Sequence, residues 1–180
     1  MTLQRFKTEL FHVAATIVAF LLTLVLNQWL FERLEFVPGI NWVYLPAGVR
    51  LLATLLFAEA GAVGLLIVSW AVSFWIFFPN DFERAFMGGI LASLAPYLVY
   101  RGARRYHYLD AGLVGLTAGK LLVLSLVYAI ASPLLHHLWF AWRGQDDLVR
   151  GFLVMFIGDL SGTLIVLYAI KGMALLLHRR

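Results

Sequence analysis

The chain has 180 residues, 62% of them hydrophobic, a formal net charge of +4 and no cysteine. Ordinary soluble domains are about 45–50% apolar even with glycine counted, and here a mean hydropathy of +0.87 comes from long apolar blocks. A soluble domain is therefore excluded, nucleic acid is a poor partner for basic residues that flank apolar runs, and disulfides and thiolate metal sites are ruled out.

The expected fold class is all-α: one integral membrane domain spanning residues 1–180, built as a polytopic transmembrane bundle of about six helices. Helix 1 is predicted from about Phe11 to Phe31, after a charged start that contains Arg5 and Lys7. The block is longer than a secretory h-region, and no Ala-x-Ala stop follows it, so a retained helix is expected rather than a cleaved signal. The connector from Glu32 to Tyr44 is mixed and aromatic, with Phe36, Trp42 and Tyr44 suited to the headgroup zone and Pro38-Gly39 as a turn. It is expected at the membrane surface.

Tyr44 to Phe78 is too long for one span, for which about 20 residues suffice. It reads as two helices joined by a tight turn in the small-residue stretch Ala58 to Gly64. Helix 2 opens at Pro46, tolerated in a first turn, and ends near Ala58, which is short for a full crossing. Helix 3 runs from about Ala60 to Phe78 and stops at Pro79-Asn80-Asp81. Helix 4 is predicted over Phe82 to Val99, kinked by Pro96, and the basic loop YRGARRYHYLD follows. Helix 5 is predicted over Ala111 to Ala131, with Ala111, Gly115 and Gly119 as a close-contact face, ended or bent by Ser132-Pro133. Helix 6 covers Leu148 to Leu177 and carries Gly158 and Gly162 at the same spacing.

Six spans put both ends on one side. Arg5, Lys7, Arg101, Arg104, Arg105, Arg179 and Arg180 outnumber Arg33, Arg84, Arg143 and Arg150 across the membrane, which places both termini in the cytoplasm. The bacterial inner membrane is the expected location. Arg101, Arg104 and Arg105 form a surface for anionic lipid headgroups or for a separate protein partner.

Ionisable residues inside spans are costly and mark a site or an internal pair. They are Arg50, Glu59, Lys120, Asp159 and Lys171. Counting about 1.5 Å per residue from the predicted helix ends puts Lys120 and Asp159 near the midplane, so these two are expected to pair or share one polar pocket. Arg50 either snorkels outward or faces Asp159. Glu59 and Lys171 are possible partners near the inner surface. Such charges serve either to fix helix packing or to hold a small ligand. The histidines are scattered; His136 and His137 are adjacent, point about 100° apart on a helix and make a poor chelating pair, so no metal or other cofactor is expected. No P-loop, dinucleotide fingerprint or His-Glu-x-x-His is present, and no catalytic residue is assigned.

The stretch LPAGVRLLATLL, with Pro46, Ala47 and Gly48, and the later Gly158-Asp159 pair resemble the MASE1 family of bacterial membrane sensory domains. The resemblance implies an all-helical sensory module. That family usually has more spans and precedes a kinase or cyclic-di-GMP synthase domain, so this shorter chain is expected to act through a separate partner. A second likeness, in size and topology, is to the substrate-binding subunits of energy-coupling-factor vitamin transporters.

Overall fold

The computed structural model describes residues 3–110 and 112–178; Ala111, Arg179 and Arg180, named above for a helix face and an inner flank, lie outside them. The described residues form five α-helices: α1 (Leu3–Phe31), α2 (Pro46–Val72), α3 (Phe82–Arg105), α4 (Ala118–Trp142) and α5 (Leu148–His178). A two-stranded antiparallel hairpin, β1 (Glu35–Val37) and β2 (Ile40–Asn41), lies between α1 and α2.

Four of these helical stretches, Leu3–Leu34, Pro46–Phe77, Ala118–Trp142 and Leu148–Leu177, are long and apolar enough to cross a membrane. The distribution of polarity agrees. Leu22, Val25, Trp29, Leu122, Leu138, Val149 and Leu153 are exposed, while Thr16, Asn27, Arg50, Thr54, Ser125, Ser132, Asp159 and Thr163 are buried. Leucine outside and hydroxyls inside is the arrangement of a chain whose solvent is lipid, because polar side chains there must find partners within the protein. This is a transmembrane protein.

The predicted helices 2 and 3 are both present, joined without a gap into one helical element that is broken at Ala58, whose φ of 50° and ψ of −120° are not helical. The break is a fold-back. Gly61 lies under the Ala53 carbonyl, where a side chain would collide, and Arg50 and Ser69 face one cavity. In a straight helix those two would be about 28 Å apart. The element therefore has a short first arm, 46–57, and a longer second arm, 59–72, prolonged by a π-helical turn, Ser73–Phe77.

The connector 32–44 stays at the surface, as expected, only over its first half, 32–39. Ile40, Asn41, Tyr44 and Leu45 are buried. The chain enters along α5: Asn41 rests its carbonyl on Gly158, Tyr44 rests its carbonyl on Gly162, and Gly48 meets Val166. Positions 158, 162 and 166 form one helix face, and the two glycines admit a backbone that any Cβ would push away. The irregular segment is sealed by hydrogen bonds, Tyr44 N–H to the Gly158 carbonyl at 3.1 Å and Leu45 N–H to Asn27 Oδ1 at 2.8 Å. Backbone of this kind is tolerated at depth only where protein covers it. Replacing Asn27 with Leu strands a buried N–H, and we expect a loss of about 1–3 kcal/mol, read as a lower melting temperature in one detergent; an unchanged melting curve would refute the role.

Two further boundaries move. α3 continues to Arg105, six residues past the predicted end, so the basic cluster sits on its last turns. α4 begins at Ala118, where the Thr117 side chain caps the Lys120 N–H at 3.2 Å, and runs through Pro133 to Trp142. Gly115 and the capping threonine belong to the loop before the helix, so the predicted Gly115–Gly119 helix face does not form.

α1 runs parallel to the second arm of α2, whereas α3 runs antiparallel to it. Thr16 of α1 meets Gly64, and the Trp70 ring lies on Gly89 of α3 and donates to the Phe86 carbonyl at 2.9 Å. His12 stacks on Phe57, and Glu59 meets Arg101, so the start of α1, the Ala58 bend and the end of α3 share one end of the bundle. Glu83 and Arg143, 3.0 Å apart, mark the other end.

Candidate ligand site

The first arm of α2 carries Arg50 into the middle of the bundle, where it is 7% exposed. Its guanidinium sits over the Phe20 and Tyr44 rings, 5.4 and 5.1 Å from their centroids, and Nη2 donates to Tyr44 Oη at 3.4 Å. Tyr128 of α4 faces the same guanidinium and Ser132 faces Asp159, in neither case with hydrogen-bonding geometry. Asp159 is 1% exposed and lies within Coulombic reach of Arg50, but no salt bridge joins the two among the described residues. The carboxylate also shares the level at which α2 begins, since Gly158 and Gly162 flank it, and the positive end of a helix favours a neighbouring anion.

Arg50 opens onto a cavity of about 50 Å³. Tyr44, Ser69, Ser73, Arg84, Gly88 and His136 provide its polar and close-packed walls, with Phe20, Phe77, Phe78 and Phe140 between them. The Pro38-Gly39 turn and Phe78 form its mouth, near the Glu83–Arg143 end. The π-helical turn places Ser73 in this wall; such turns recur at functional sites. Arg84 is held between Phe78, 4.3 Å to the centroid, and Phe140, 5.7 Å. Arg50 Nε, Arg84 Nε and Ser69 Oγ have no hydrogen-bond partner among the described residues.

The other expected charge partners are not brought together. Lys120 lies in the first turn of α4 against the Tyr108 ring, 5.5 Å away, whereas Asp159 faces Ser132, about 18 Å further along the same helix. The Lys120–Asp159 pair is therefore wrong, because the helix starts seven residues later than expected and its midplane shifts from Lys120 toward Tyr128. Glu59 pairs with Arg101 at 3.4 Å and accepts from Tyr97 Oη at 3.3 Å, not with Lys171. Both partners of that bridge are more than 60% exposed, so it adds little. Lys171 is exposed on the last third of α5. Arg104 is half-buried and Arg105 exposed, with neither in a salt bridge among the described residues.

Sequence reasoning missed Tyr44, Tyr128, Ser132, His136 and Arg84. The signal for three of them was present: Ser125, Tyr128, Ser132 and His136 recur at three- and four-residue spacing, one polar stripe on an apolar helix. Ending the helix at Ser132-Pro133 cut that stripe in two. His136 and His137 bond the carbonyls of Ser132 and Pro133, each at 2.8 Å, and part company: His136 faces the cavity and His137 packs on Gly151 and Phe152.

Comparison with protein-family models, with curated proteins and with solved structures yields no match.

Proposed function

We propose that this chain is a six-pass protein of the bacterial inner (cytoplasmic) membrane with both termini in the cytoplasm. It serves as a sensory or scaffold module without catalysis of its own, through a small-ligand pocket at Arg50 or a separate protein partner. Counting the arm 46–57 together with the buried entry segment 40–45 as one pass gives the even number, and the excess of basic residues near the Ala58 end supports the orientation. Arg101, Arg104 and Arg105 then meet anionic headgroups or the partner. The resemblance of Pro46-Ala47-Gly48 and Gly158-Asp159 to MASE1 sensory domains is part of this proposal.

One observation carries the ligand reading. A buried arginine with an unpaired Nε faces a cavity walled by further unpaired polar atoms, and leaving such groups without partners is expensive unless something is bound there. A second reading, a substrate-binding membrane subunit of a small-molecule transporter, is favoured by the fold-back segment, because broken helices that begin at depth recur at transport sites. A vitamin-sized substrate is disfavoured, since sites for drug-sized ligands are roughly 300–1,000 Å³.

Gentle purification of the full chain followed by native mass spectrometry tests the choice. A sensory module retains a stoichiometric non-ATPase partner. An ATPase partner supports transport instead. Recovery of neither partner nor bound solute overturns both.

A further inference from the structure

We propose that the cavity between Arg50 and Arg84 binds a small monovalent anion, a carboxylate or oxyanion of a few atoms. The inference rests on reading this cavity as a ligand pocket and assigns its ligand by charge and size. The walls contain two guanidinium groups and no carboxylate. Asp159, buried next to Arg50, offsets one of the two positive charges. Asp81, whose charge acts on Arg84, is solvent-exposed and already accepts the Arg84 backbone N–H at 3.0 Å, so it offsets Arg84 only in part. Positive charge is left over at a partly buried site, and a single negative charge completes it.

Size sharpens the class. A water needs about 10–15 Å³ of such space, so about 50 Å³ admits roughly three or four non-hydrogen atoms. Formate, bicarbonate and nitrate fit; sugar acids and nucleotides do not. The donors fit as well. Arg50 Nε, Arg84 Nε and Ser69 Oγ are buried and unpartnered on the walls, and guanidinium groups suit planar oxygen pairs. The aromatic rings of Phe78 and Phe140 hold Arg84 in place at the mouth, so the second donor is positioned before the anion arrives.

The test uses the full-length protein in detergent and chloride-free buffer. Melting is followed in sodium formate or nitrate against sodium gluconate at equal ionic strength. Formate and nitrate are expected to raise the melting temperature by about 5 °C at concentrations well above the dissociation constant. Gluconate, too large for the cavity, has no such effect. R84Q abolishes the difference between formate and gluconate, and R84K restores part of it, with S69A weakening it. Equal melting in all three salts, or an R84Q response identical to the native one, overturns the anion assignment. If native mass spectrometry then detects another small solute that is lost in S69A, the pocket stands and only its ligand was misassigned. If no solute is found and Ser73→Leu, which fills the cavity, simply stabilises the protein, the pocket reading falls too.

Discussion

Replacing Arg50 with methionine is expected to destabilise the folded protein by about 3–5 kcal/mol, the usual cost of leaving a buried partner charge uncompensated. Asp159 is the group left behind, 1% exposed and with one carboxylate oxygen already lacking a partner. Methionine matches much of the aliphatic volume and still packs on Phe20 and Tyr44, so the loss is mainly electrostatic. The double substitution R50M/D159L removes both charges, and most of the stability is expected to return, because the two positions are coupled. Thermal unfolding of the four proteins of this cycle in one detergent measures the coupling. Additive losses would show that Arg50 and Asp159 act independently, and the polar centre described above would dissolve into two unrelated features.

Gly162→Val is expected to cost about 3 kcal/mol or more, at the upper end for overpacking. The atom it strikes is the Tyr44 carbonyl, a backbone group that has no rotamer to change and is itself anchored by the hydrogen bond from Tyr44 to Gly158. Gly172→Val on the same helix meets nothing within 4 Å, and is expected to change stability by no more than about 0.5 kcal/mol. The contrast controls for helix propensity, since both sites exchange the same residue in α5. Equal melting temperatures for the two variants would mean that the 41–45 segment is not seated on this face.

Much of the architecture was legible because apolar blocks and their punctuation are local properties. The fold-back was visible as a run too long to cross once, with small residues from Ala58 onward, and the break falls at Ala58 itself. The helix limits around Leu148 and Pro46 were legible for the same reason. The depth of the connector was not. Phe36, Trp42 and Tyr44 have the composition of an interfacial segment, and only the distant Gly158 and Gly162 make room for it inside. Those glycines were read correctly as a contact face, but their partner is irregular backbone rather than another helix.

The site was half legible. Arg50 and Asp159 stood out because charge in an apolar run is rare, and the possibility that Arg50 faces Asp159 matches their shared polar centre. Lys120 was misplaced because Gly112, Gly115 and Thr117 were taken as helix when they form the loop and cap before it. Arg84 was treated as a flanking charge because it lies close after Pro79-Asn80-Asp81. Its seat between Phe78 and Phe140 depends on a residue 56 positions further on, a tertiary fact with no local trace.

The arm 46–57 is enclosed by a wall that is made much later in the chain. Its opening turn leans on positions 158–166, more than a hundred residues downstream, and residues 46–51 are covered almost throughout. During synthesis this stretch leaves the ribosome long before α5 exists, too short to cross the bilayer alone and bearing an arginine that lipid will not accept. Its settling into place therefore waits until α5 arrives to shelter it.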